Sequence, residues 1–293
     1  MARIGFIGAG AMGAPMIGHL LAAGHAVAVH ARRREAAQAL VDGGATYAPT
    51  PADAARGAEF VCTNVTATRD VEQVLFGENG AAHGAARGAI VIDFSTISAP
   101  ATREFARRLA EQGVDMLDCP VSGGVAGAKA ATLSVIVGGA ARVLERARPI
   151  LSALGRTITH VGGHGAGQVV KACNQIVQVV NVQGIAEAMM FARANGVEPA
   201  VALPALQAGL AGSRMLDSMG AKMTVRDFAA GIEARLHQKD FALVVEMTQA
   251  LGLSMPATAL VSQQLNALVG HGWGRDDTSS LLRVLEALNG GGK

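Results

Sequence analysis

Residues 2–16 read ARIGFIGAGAMGAPM, an apolar segment that runs directly into three closely spaced glycines. The apolar residues 3–7 predict a buried strand, and three glycines follow it at the spacing of Gly8, Gly10 and Gly13. Gly8 permits a tight turn, and Gly10 lets a pyrophosphate approach the backbone without a Cβ in the way. Gly13 allows a helix to pack closely on the strand. The spacing therefore predicts a turn that binds a dinucleotide.

A helix is predicted over residues 11–23, directly after the turn. Its N-terminus offers free N–H groups and partial positive charge, which favour phosphate groups. Because a strand precedes the turn and a helix follows it, we interpret the turn as a cofactor site rather than as a glycine-rich turn without a ligand. Ala11 and Met12, which lie between the last two glycines, are then cofactor contacts as well.

Strand-like and helix-like segments alternate after this turn. Strands are predicted at residues 26–30, 59–63, 89–94, 114–118, 133–137 and 157–160, and helices at 34–42, 98–112 and 140–153. Such alternation predicts an α/β fold with a parallel sheet covered by helices on both faces, the doubly wound arrangement of Rossmann type.

The strand signals end near residue 160, and a long helix is predicted over residues 168–194. The remaining sequence has only helical patterns. We therefore expect a dinucleotide-binding domain of residues 1–162 and an all-helical domain of residues 163–293, which binds substrate and begins with a long interdomain helix. The glycines at 290–292 are expected to fray.

Composition and charge exclude several functional classes. The chain has 293 residues, half of them hydrophobic, and a net charge of +2, so it lacks the basic surface of a nucleic-acid-binding protein. Its three cysteines, Cys62, Cys119 and Cys173, show neither metal-ligand spacing nor a disulfide framework. No signal peptide or membrane-spanning run is recognised. We expect a cytoplasmic protein without a metal or a membrane association.

The residues after the second strand bear on the choice of cofactor. NAD-binding proteins place an acidic residue there, whereas this chain has Ala31 followed by Arg32 and Arg33. Arginine binds phosphate bidentately, so we favour NADP, with both arginines on the 2′-phosphate. NAD remains the alternative, in which the arginines are solvated and Glu35 reaches the ribose.

Two later stretches carry candidate catalytic chemistry. Ser122 is followed by Gly123 and Gly124 after the fifth strand, a pattern that can present several donors to a carboxylate or can form an ordinary turn. Further on, Lys171 is a solitary cation among apolar residues of the long helix. A buried lysine is a candidate general acid and base; the alternative is a lysine that extends to water.

The side chains of Asn174 and Gln175 share the helix face of Lys171, at spacings of three and four residues. With these motifs, the chain resembles the β-hydroxyacid dehydrogenase family over almost its whole length. The motifs that carry the resemblance are GFIGAGAMGAPM (5–16), DCPVSGGVAGAKAATLSVIVGG (118–139), GAGQVVKACNQ (165–175) and HQKDFAL (237–243).

The resemblance implies a role for each matching residue. Lys171 is the general acid and base, and Ser122, Gly123 and Gly124 hold the substrate carboxylate. Further substrate contacts are Asn174, Gln175 and Asp240, and further cofactor contacts are Asn64, Val65, Ser95, Thr96 and Lys239. Two positions depart from the common pattern: Gln175 stands where many members have asparagine, and Ile232 where many have an aromatic residue.

The resemblance also implies an activity and an assembly. The activity is NAD(P)-dependent interconversion of a short 3-hydroxy acid and its semialdehyde, of the 2-hydroxy-3-oxopropionate reductase or 3-hydroxyisobutyrate dehydrogenase type. Alternatives are a glyoxylate or succinic semialdehyde reductase, an imine reductase, and a non-catalytic dinucleotide-binding module. Apolar faces at residues 176–185 and 243–253 exceed what a small domain buries alone. The resemblance implies a homodimer or homotetramer built through such helices.

Overall fold

The computed structural model describes residues 1–290 and divides into two compact units. The first unit comprises Met1–Lys171, and the second begins at Ala172. The expectation of fraying at Gly291 and Gly292 lies outside the described residues. We describe each unit by itself.

The first unit is built on a sheet with helices on its faces. Its strands are β1 (Arg3–Ile7), β2 (Ala26–His30), β3 (Thr46–Tyr47), β4 (Phe60–Thr63), β5 (Ile90–Asp93), β6 (Asp115–Asp118), β7 (Val121–Ser122), β8 (Leu133–Gly138) and β9 (Gly155–Gly162). Its helices are α1 (Gly13–Ala22), α2 (Gln38–Asp42), α3 (Pro51–Ala55), α4 (Thr68–Phe76), α5 (Ala99–Glu111), α6 (Gly124–Lys129) and α7 (Ala141–Ser152).

The strand order is β3-β2-β1-β4-β5-β6-β8-β7, with β9 beside β8. Strands β1 to β6 are parallel, and Ile4 of β1 lies between Val27 of β2 and Phe60 of β4. The chain therefore winds away from β1 in both directions, which confirms the predicted doubly wound fold. Ligands bind at the carboxyl ends of the strands where the winding direction changes. In this sheet that point lies between β1 and β4.

Alternating side chains of each central strand enter two separate cores. Ile4 and Phe6 of β1 pack with Met16 and Leu20 of α1 on one face of the sheet. Ile7 packs into the core on the opposite face, with the helices α4 and α5. Because both faces are buried, the central strands read as continuous apolar runs rather than as polar–apolar alternation.

Several local elements differ from the prediction, among them the short strands β3 and β7, which were not predicted. The helix expected at residues 34–42 is a 3₁₀ turn, Arg34–Ala37, followed by the short α2, and the Ala36 N–H accordingly bonds back to Arg33. Helices α4 and α6 had no counterpart in the sequence prediction. In α4, Asp70 accepts a bond from the Ala67 N–H at 3.0 Å and so closes the first turn.

The second unit is helical throughout its described part, as predicted. Helix α8 (Ala166–Ala194) enters it from the first unit, followed by α9 (Pro199–Ala208), a π-helical turn (Leu216–Gly220), α10 (Ala221–Val225), α11 (Ala234–Ala250), α12 (Pro256–Gly270), a 3₁₀ turn (Thr278–Ser280) and α13 (Leu281–Leu288). Val182 and Met189 of α8 pack in one core with Phe241 of α11, Leu265 of α12 and Leu281 of α13.

Candidate active site

The glycine turn after β1 leaves a space for a ligand. Gly8 has a φ of +110°, and a Cβ on it would lie 2.2 Å from the Asn64 carbonyl oxygen. A Cβ on Gly13 would lie 1.9 Å from the Gly8 carbonyl oxygen, so both residues must be glycine for β1, β4 and α1 to pack. A Cβ on Gly10 would meet no heavy atom within 4 Å. Gly10 therefore faces open space, as close approach of a pyrophosphate requires, and these residues fit a dinucleotide.

The loops after β4 and β5 lie beside each other at the same edge of the sheet. The Val65 N–H donates to Ser95 Oγ at 3.0 Å, and Asn64 Nδ2 contacts Met16 Sδ at 3.3 Å. Ser95 is buried, so its hydroxyl holds the neighbouring loop, whereas Thr96 is half-buried. The fold thus gathers the four predicted loop residues beside Gly8.

Two carboxyl groups that end adjacent strands are buried. Asp93, the last residue of β5, accepts bonds from Thr63 Oγ1 at 2.8 Å and from the Ser95 N–H at 3.0 Å. Burial raises the pKa of Asp93 to about 6, although these donors oppose the rise. Burial also raises the pKa of Asp118, the last residue of β6. Sequence reasoning did not assign either carboxyl a role; the signal was an aspartate closing an apolar strand.

Asp118 holds the beginning of α8. Its Oδ1 accepts from the Gly165 N–H at 2.9 Å and its Oδ2 from the Gln168 N–H at 3.1 Å. A Cβ on Gly167 would lie 2.7 Å from Asp118, so the first turn of the helix passes directly over this carboxyl. The contacts explain why the first compact unit extends to Lys171 and includes the first turn of α8.

Gln168 connects the same turn to the loop after β5. Its side chain is buried, Nε2 donates to the Ser95 carbonyl oxygen at 2.8 Å, and Oε1 accepts from the Ile97 N–H at 3.1 Å. Sequence reasoning missed this residue. Its only signal was its place one turn before Lys171.

Lys171 lies one turn after Gln168 on α8 and is 7% exposed. The side chain is therefore buried. It does not extend to water, which was the alternative that the sequence left open. The apolar residues Val169 and Val170 beside it are 40% and 37% exposed. The burial of the lysine follows from its position on the helix rather than from a uniformly buried helix.

The predicted carboxylate site lies at β7. Ser122 pairs with Ser134 of β8 and is half-buried, and Gly123 follows with a φ of +132°. A Cβ on Gly123 would also come within 3.3 Å of the Leu133 side chain. The positive φ turns the chain sharply after Ser122 and leads into α6 at Gly124.

In the helical unit, the predicted polar residues form one hydrogen-bonded chain. Asn174 Nδ2 donates to Gln175 Oε1 at 2.8 Å and to Gln178 Oε1 at 3.2 Å. Gln175 Nε2 then donates to Asp240 Oδ2 at 2.5 Å, and Lys239 Nζ pairs with Asp240 Oδ1 at 2.8 Å. The structure brings together Asn174, Gln175, Lys239 and Asp240.

The loop that contains Ile232 is held by a buried carboxylate. Asp277 Oδ2 accepts from the Gly231 N–H at 2.8 Å, from the Ile232 N–H at 3.4 Å and from Lys222 Nζ at 3.1 Å. Burial opposes ionisation, but the N–H groups of Ser279 and Gly231 and the Lys222 ammonium hold the pKa of Asp277 below its usual range.

The basic stretch after β2 is exposed at the end of the strand beside the glycine turn. The Gly8 N–H donates to the His30 carbonyl oxygen at 2.9 Å, so the turn and this strand end are joined. Arg32 and Arg33 are exposed, whereas Ala31 is buried. Arg34 lies over the ring of Tyr47, 5.0 Å from its centre, and is engaged there.

Residues 1–290 contain no group of three or more His, Cys, Asp or Glu side chains arranged to hold a metal ion. In the same part of the chain, no helix is both long enough and apolar enough to cross a bilayer.

We compared the chain with protein-family models and with known proteins. A family model described as the NAD binding domain of 6-phosphogluconate dehydrogenase matches residues 3–162. A second, described as NAD-binding of NADP-dependent 3-hydroxyisobutyrate dehydrogenase, matches residues 165–285. The chain is 40% identical over 286 residues to 2-hydroxy-3-oxopropionate reductase of Escherichia coli (strain K12), which covers 98% of each protein.

One further relative and one solved structure are also similar to this chain over most of its length. 3-Hydroxyisobutyrate dehydrogenase of Pseudomonas aeruginosa is 39% identical over 267 residues, 89% of this chain and 90% of that protein. The solved structure of Mycobacterium tuberculosis 3-hydroxyisobutyrate dehydrogenase with L-serine has a TM-score of 0.90 at 30% identity, over 97% of this chain and 99% of that one.

The doubly wound sheet, the glycine turn and the helical unit define an NAD(P)-dependent oxidoreductase. Within that class, the chain belongs to the β-hydroxyacid dehydrogenase family, as its sequence motifs predicted.

Proposed function

We propose that this enzyme interconverts a short 3-hydroxy acid and its semialdehyde, with 2-hydroxy-3-oxopropionate as the first candidate and 3-hydroxyisobutyrate as the second. The observation that carries the proposal is a buried lysine, Lys171, on the turn of α8 that Asp118 and Gln168 hold against the carboxyl edge of the sheet. The 40% identity to 2-hydroxy-3-oxopropionate reductase supports the order of the candidates.

The substrate carboxylate binds at Ser122, through its hydroxyl and the N–H groups of Gly123 and Gly124. A hydroxyl and two backbone donors match the acceptor oxygens of a carboxylate. The half-buried position of Ser122 at the end of β7 supports this assignment, since a ligand can reach it from solvent. Asn174, Gln175 and Asp240 complete the substrate contacts from the helical domain.

Lys171 transfers the proton. In the reducing direction its ammonium donates to the carbonyl oxygen of the semialdehyde and stabilises the charge that develops there. In the oxidising direction its neutral amine removes the proton of the substrate hydroxyl. The bound nicotinamide supplies or accepts the hydride. Burial of Lys171 removes competing water from the proton-transfer step.

The cofactor is NADP in this proposal. Gly8, Gly10, Ala11, Met12 and Gly13 form the pyrophosphate turn, while Arg32 and Arg33 bind the 2′-phosphate. The exposure of both arginines supports this, as does the buried Ala31 at the position where NAD-binding proteins have an acid. Asn64, Val65, Ser95, Thr96 and Lys239 line the remaining cofactor site.

The domain division and the assembly belong to the same proposal. The dinucleotide-binding domain comprises residues 1–162 and the helical substrate domain begins at residue 163, a boundary supported by the extents of the two family models. The helical domain forms a homodimer or homotetramer, and exposed apolar side chains such as Val177 and Phe191 support this. The enzyme works in the cytoplasm, where its cysteines stay reduced.

The test is NADPH and NADH oxidation with a panel of short semialdehyde acids, beside Lys171→Ala. We expect turnover with 2-hydroxy-3-oxopropionate and a fall in kcat of about 10²- to 10⁴-fold in the variant, because the general acid is lost. NADPH affinity should be retained, as a fluorescence titration would show. Unchanged kcat in the variant would contradict the assignment of Lys171. Cofactor binding without turnover on any panel member would contradict the proposed activity.

A further inference from the structure

We propose that Gln168 is a positioning residue, whose carboxamide fixes the loop of residues 95–97 to the helix turn that carries Lys171. The inference rests on the proposed function for the roles of Thr96 and Lys171. It adds a residue that touches neither substrate nor cofactor but sets the relative position of the groups that do.

The contacts of Gln168 span two elements of the sheet edge. Through its side chain it binds the loop after β5 at both ends of Thr96, at the Ser95 carbonyl oxygen (2.8 Å) and the Ile97 N–H (3.1 Å). Through its backbone N–H it binds Asp118 at the end of β6 (3.1 Å). One residue thus holds the helix turn to two neighbouring strand ends.

The connection continues to the next loop. Ser95, whose carbonyl oxygen Gln168 binds, accepts the Val65 N–H at its hydroxyl. Gln168 is 2% exposed and Ser95 is also 2% exposed, so water cannot replace these bonds. Displacing the carboxamide would therefore release both loops that are proposed to line the cofactor.

The position requires a side chain that donates one hydrogen bond and accepts another. The side chain must donate to a carbonyl oxygen and accept from an N–H at once, which glutamine does and leucine cannot. An ionised glutamate accepts but cannot donate, and it would stand near Asp118 and Asp93. A protonated glutamate could do both, through its O–H and its carbonyl oxygen. The titratable or charged groups beside the same turn also include His164, Lys171 and Arg103, whose side chain lies against Gly165.

This difference gives a specific test. Gln168→Leu and Gln168→Glu are compared with Gln183→Leu and Gln183→Glu. Gln183 is a matched control because it lies buried on the same helix and its Nε2 donates along that helix, to Glu187 at 2.8 Å. The measurements are amide hydrogen exchange at Ile97, NADPH affinity, and kcat and KM from pH 5 to pH 9 with melting temperatures at each pH.

We expect amide exchange at Ile97 to rise in Gln168→Leu by about tenfold, because its hydrogen-bond acceptor is gone. The same variant should lose kcat by about tenfold, with little change in the KM for the acid, since a small misplacement of reacting groups slows chemistry. Gln168→Glu should approach wild-type kcat at low pH and lose it as the pH rises. Both Gln183 variants should keep wild-type exchange at Ile97 and a wild-type pH profile.

The outcomes separate this inference from the proposed function. Wild-type exchange at Ile97 in Gln168→Leu overturns the positioning role, whatever the activity. Equal losses of kcat in Gln168→Leu and Gln183→Leu also overturn it, because the effect would then follow general destabilisation. Absence of turnover in the wild type would contradict the proposed function alone, since exchange at Ile97 still decides the contact.

Discussion

Single polar residues at the strand ends hold the loops of this site in place through hydrogen bonds. Asp93 is the last residue of β5, and its Oδ1 accepts from Thr63 Oγ1 and the Ser95 N–H. Asp118 is the last residue of β6, and both of its carboxylate oxygens accept from N–H groups at the beginning of α8. Burying a carboxylate is costly, so such groups persist where they hold something in place. In this enzyme they hold the loop after β5 and the beginning of α8.

The raised pKa of Asp93 predicts how stability depends on pH. Its folded-state pKa of about 6 exceeds the usual 3.8, so the folded state binds this proton more tightly than the unfolded state. The contribution of Asp93 to the free energy of unfolding therefore falls as the pH rises from about 4 to about 6. The difference between these two pKa values corresponds to roughly 3 kcal/mol at most in the free energy of unfolding.

Asp93→Asn should remove this fall, because the amide keeps an acceptor oxygen for Thr63 and Ser95 but carries no charge. Melting temperatures at pH 4.5 and pH 7.5 measure the effect. Relative to the wild type, the melting temperature of the variant should rise by several degrees when the pH increases from 4.5 to 7.5. Asp42→Asn, at an exposed aspartate, is the control, and its melting temperatures at the two pH values should differ as they do in the wild type. An equal pH dependence in wild type and Asp93→Asn would count against the raised pKa.

The choice of cofactor is also a matter of single residues. Arg32→Ala should weaken NADPH binding by about 10- to 100-fold, the loss expected for a charge-assisted bond to phosphate, and should leave NADH binding unchanged. Titration of each cofactor measures both affinities. Arg34→Ala is the control, because Arg34 is engaged over Tyr47. If Arg32→Ala weakened NADH and NADPH binding equally, the 2′-phosphate contact would be wrong.

At the scale of elements, the packing of α1 on β1 depends on where its glycines lie. Gly13 stands at the beginning of the helix against the Gly8 carbonyl oxygen, whereas Gly18 lies on its exposed side with no heavy atom within 4 Å of a Cβ. The two glycines are in one helix, yet only the first is needed for the contact between helix and strand. Substitution of the two glycines should therefore have opposite effects on the stability of the protein.

Gly13→Ala should lower the melting temperature and abolish cofactor binding, because its Cβ would lie 1.9 Å from a backbone oxygen and force α1 away from β1. Gly18→Ala should instead stabilise the protein by about 0.5–1 kcal/mol, since alanine favours the helix. Thermal denaturation with and without NADPH compares the pair. Equal effects of the two substitutions would contradict the packing described for α1.

At the scale of the whole molecule, the helical unit leaves large apolar side chains exposed. Val177 and Phe191 on α8 are 70% and 73% exposed, and a cavity of about 530 Å³ beside α8 is lined by Ile176, Val177, Val180, Asn181 and residues 255–258. Exposed apolar patches of this kind mark surfaces that other molecules cover. A second copy of the chain is the partner we propose.

Light scattering should therefore give a mass that is two or four times 29.8 kDa. Val177→Glu combined with Phe191→Glu should reduce it to the monomer value, because two buried charges would oppose association. Ala110→Glu adds a charge to an exposed position of α5 in the first unit and should leave the mass unchanged. A monomeric wild type would overturn the assembly.

Features that depend on neighbours along the chain could be predicted from the amino-acid sequence. The strand, turn and helix around Gly8, Gly10 and Gly13 follow from local sterics, and the alternating apolar segments follow from burial on both faces of the sheet. The motifs around Lys171 indicated the family, whereas the apolar pattern left open whether its side chain is buried or extends to water. The glycine turn, the apolar segments and the family motifs each have a fixed spacing that can be recognised in the sequence.

Contacts between residues that are distant along the chain became known from the three-dimensional structure. Gln168 binds Ser95 and Ile97 from more than 70 positions away, and Asp118 binds the N–H groups of Gly165 and Gln168 from about 50. Ser95, for which a cofactor contact was predicted, also forms a buried link between two loops. Hydrogen bonds between remote strand ends leave no periodic pattern in the sequence, because chain folding and not local spacing brings their partners together.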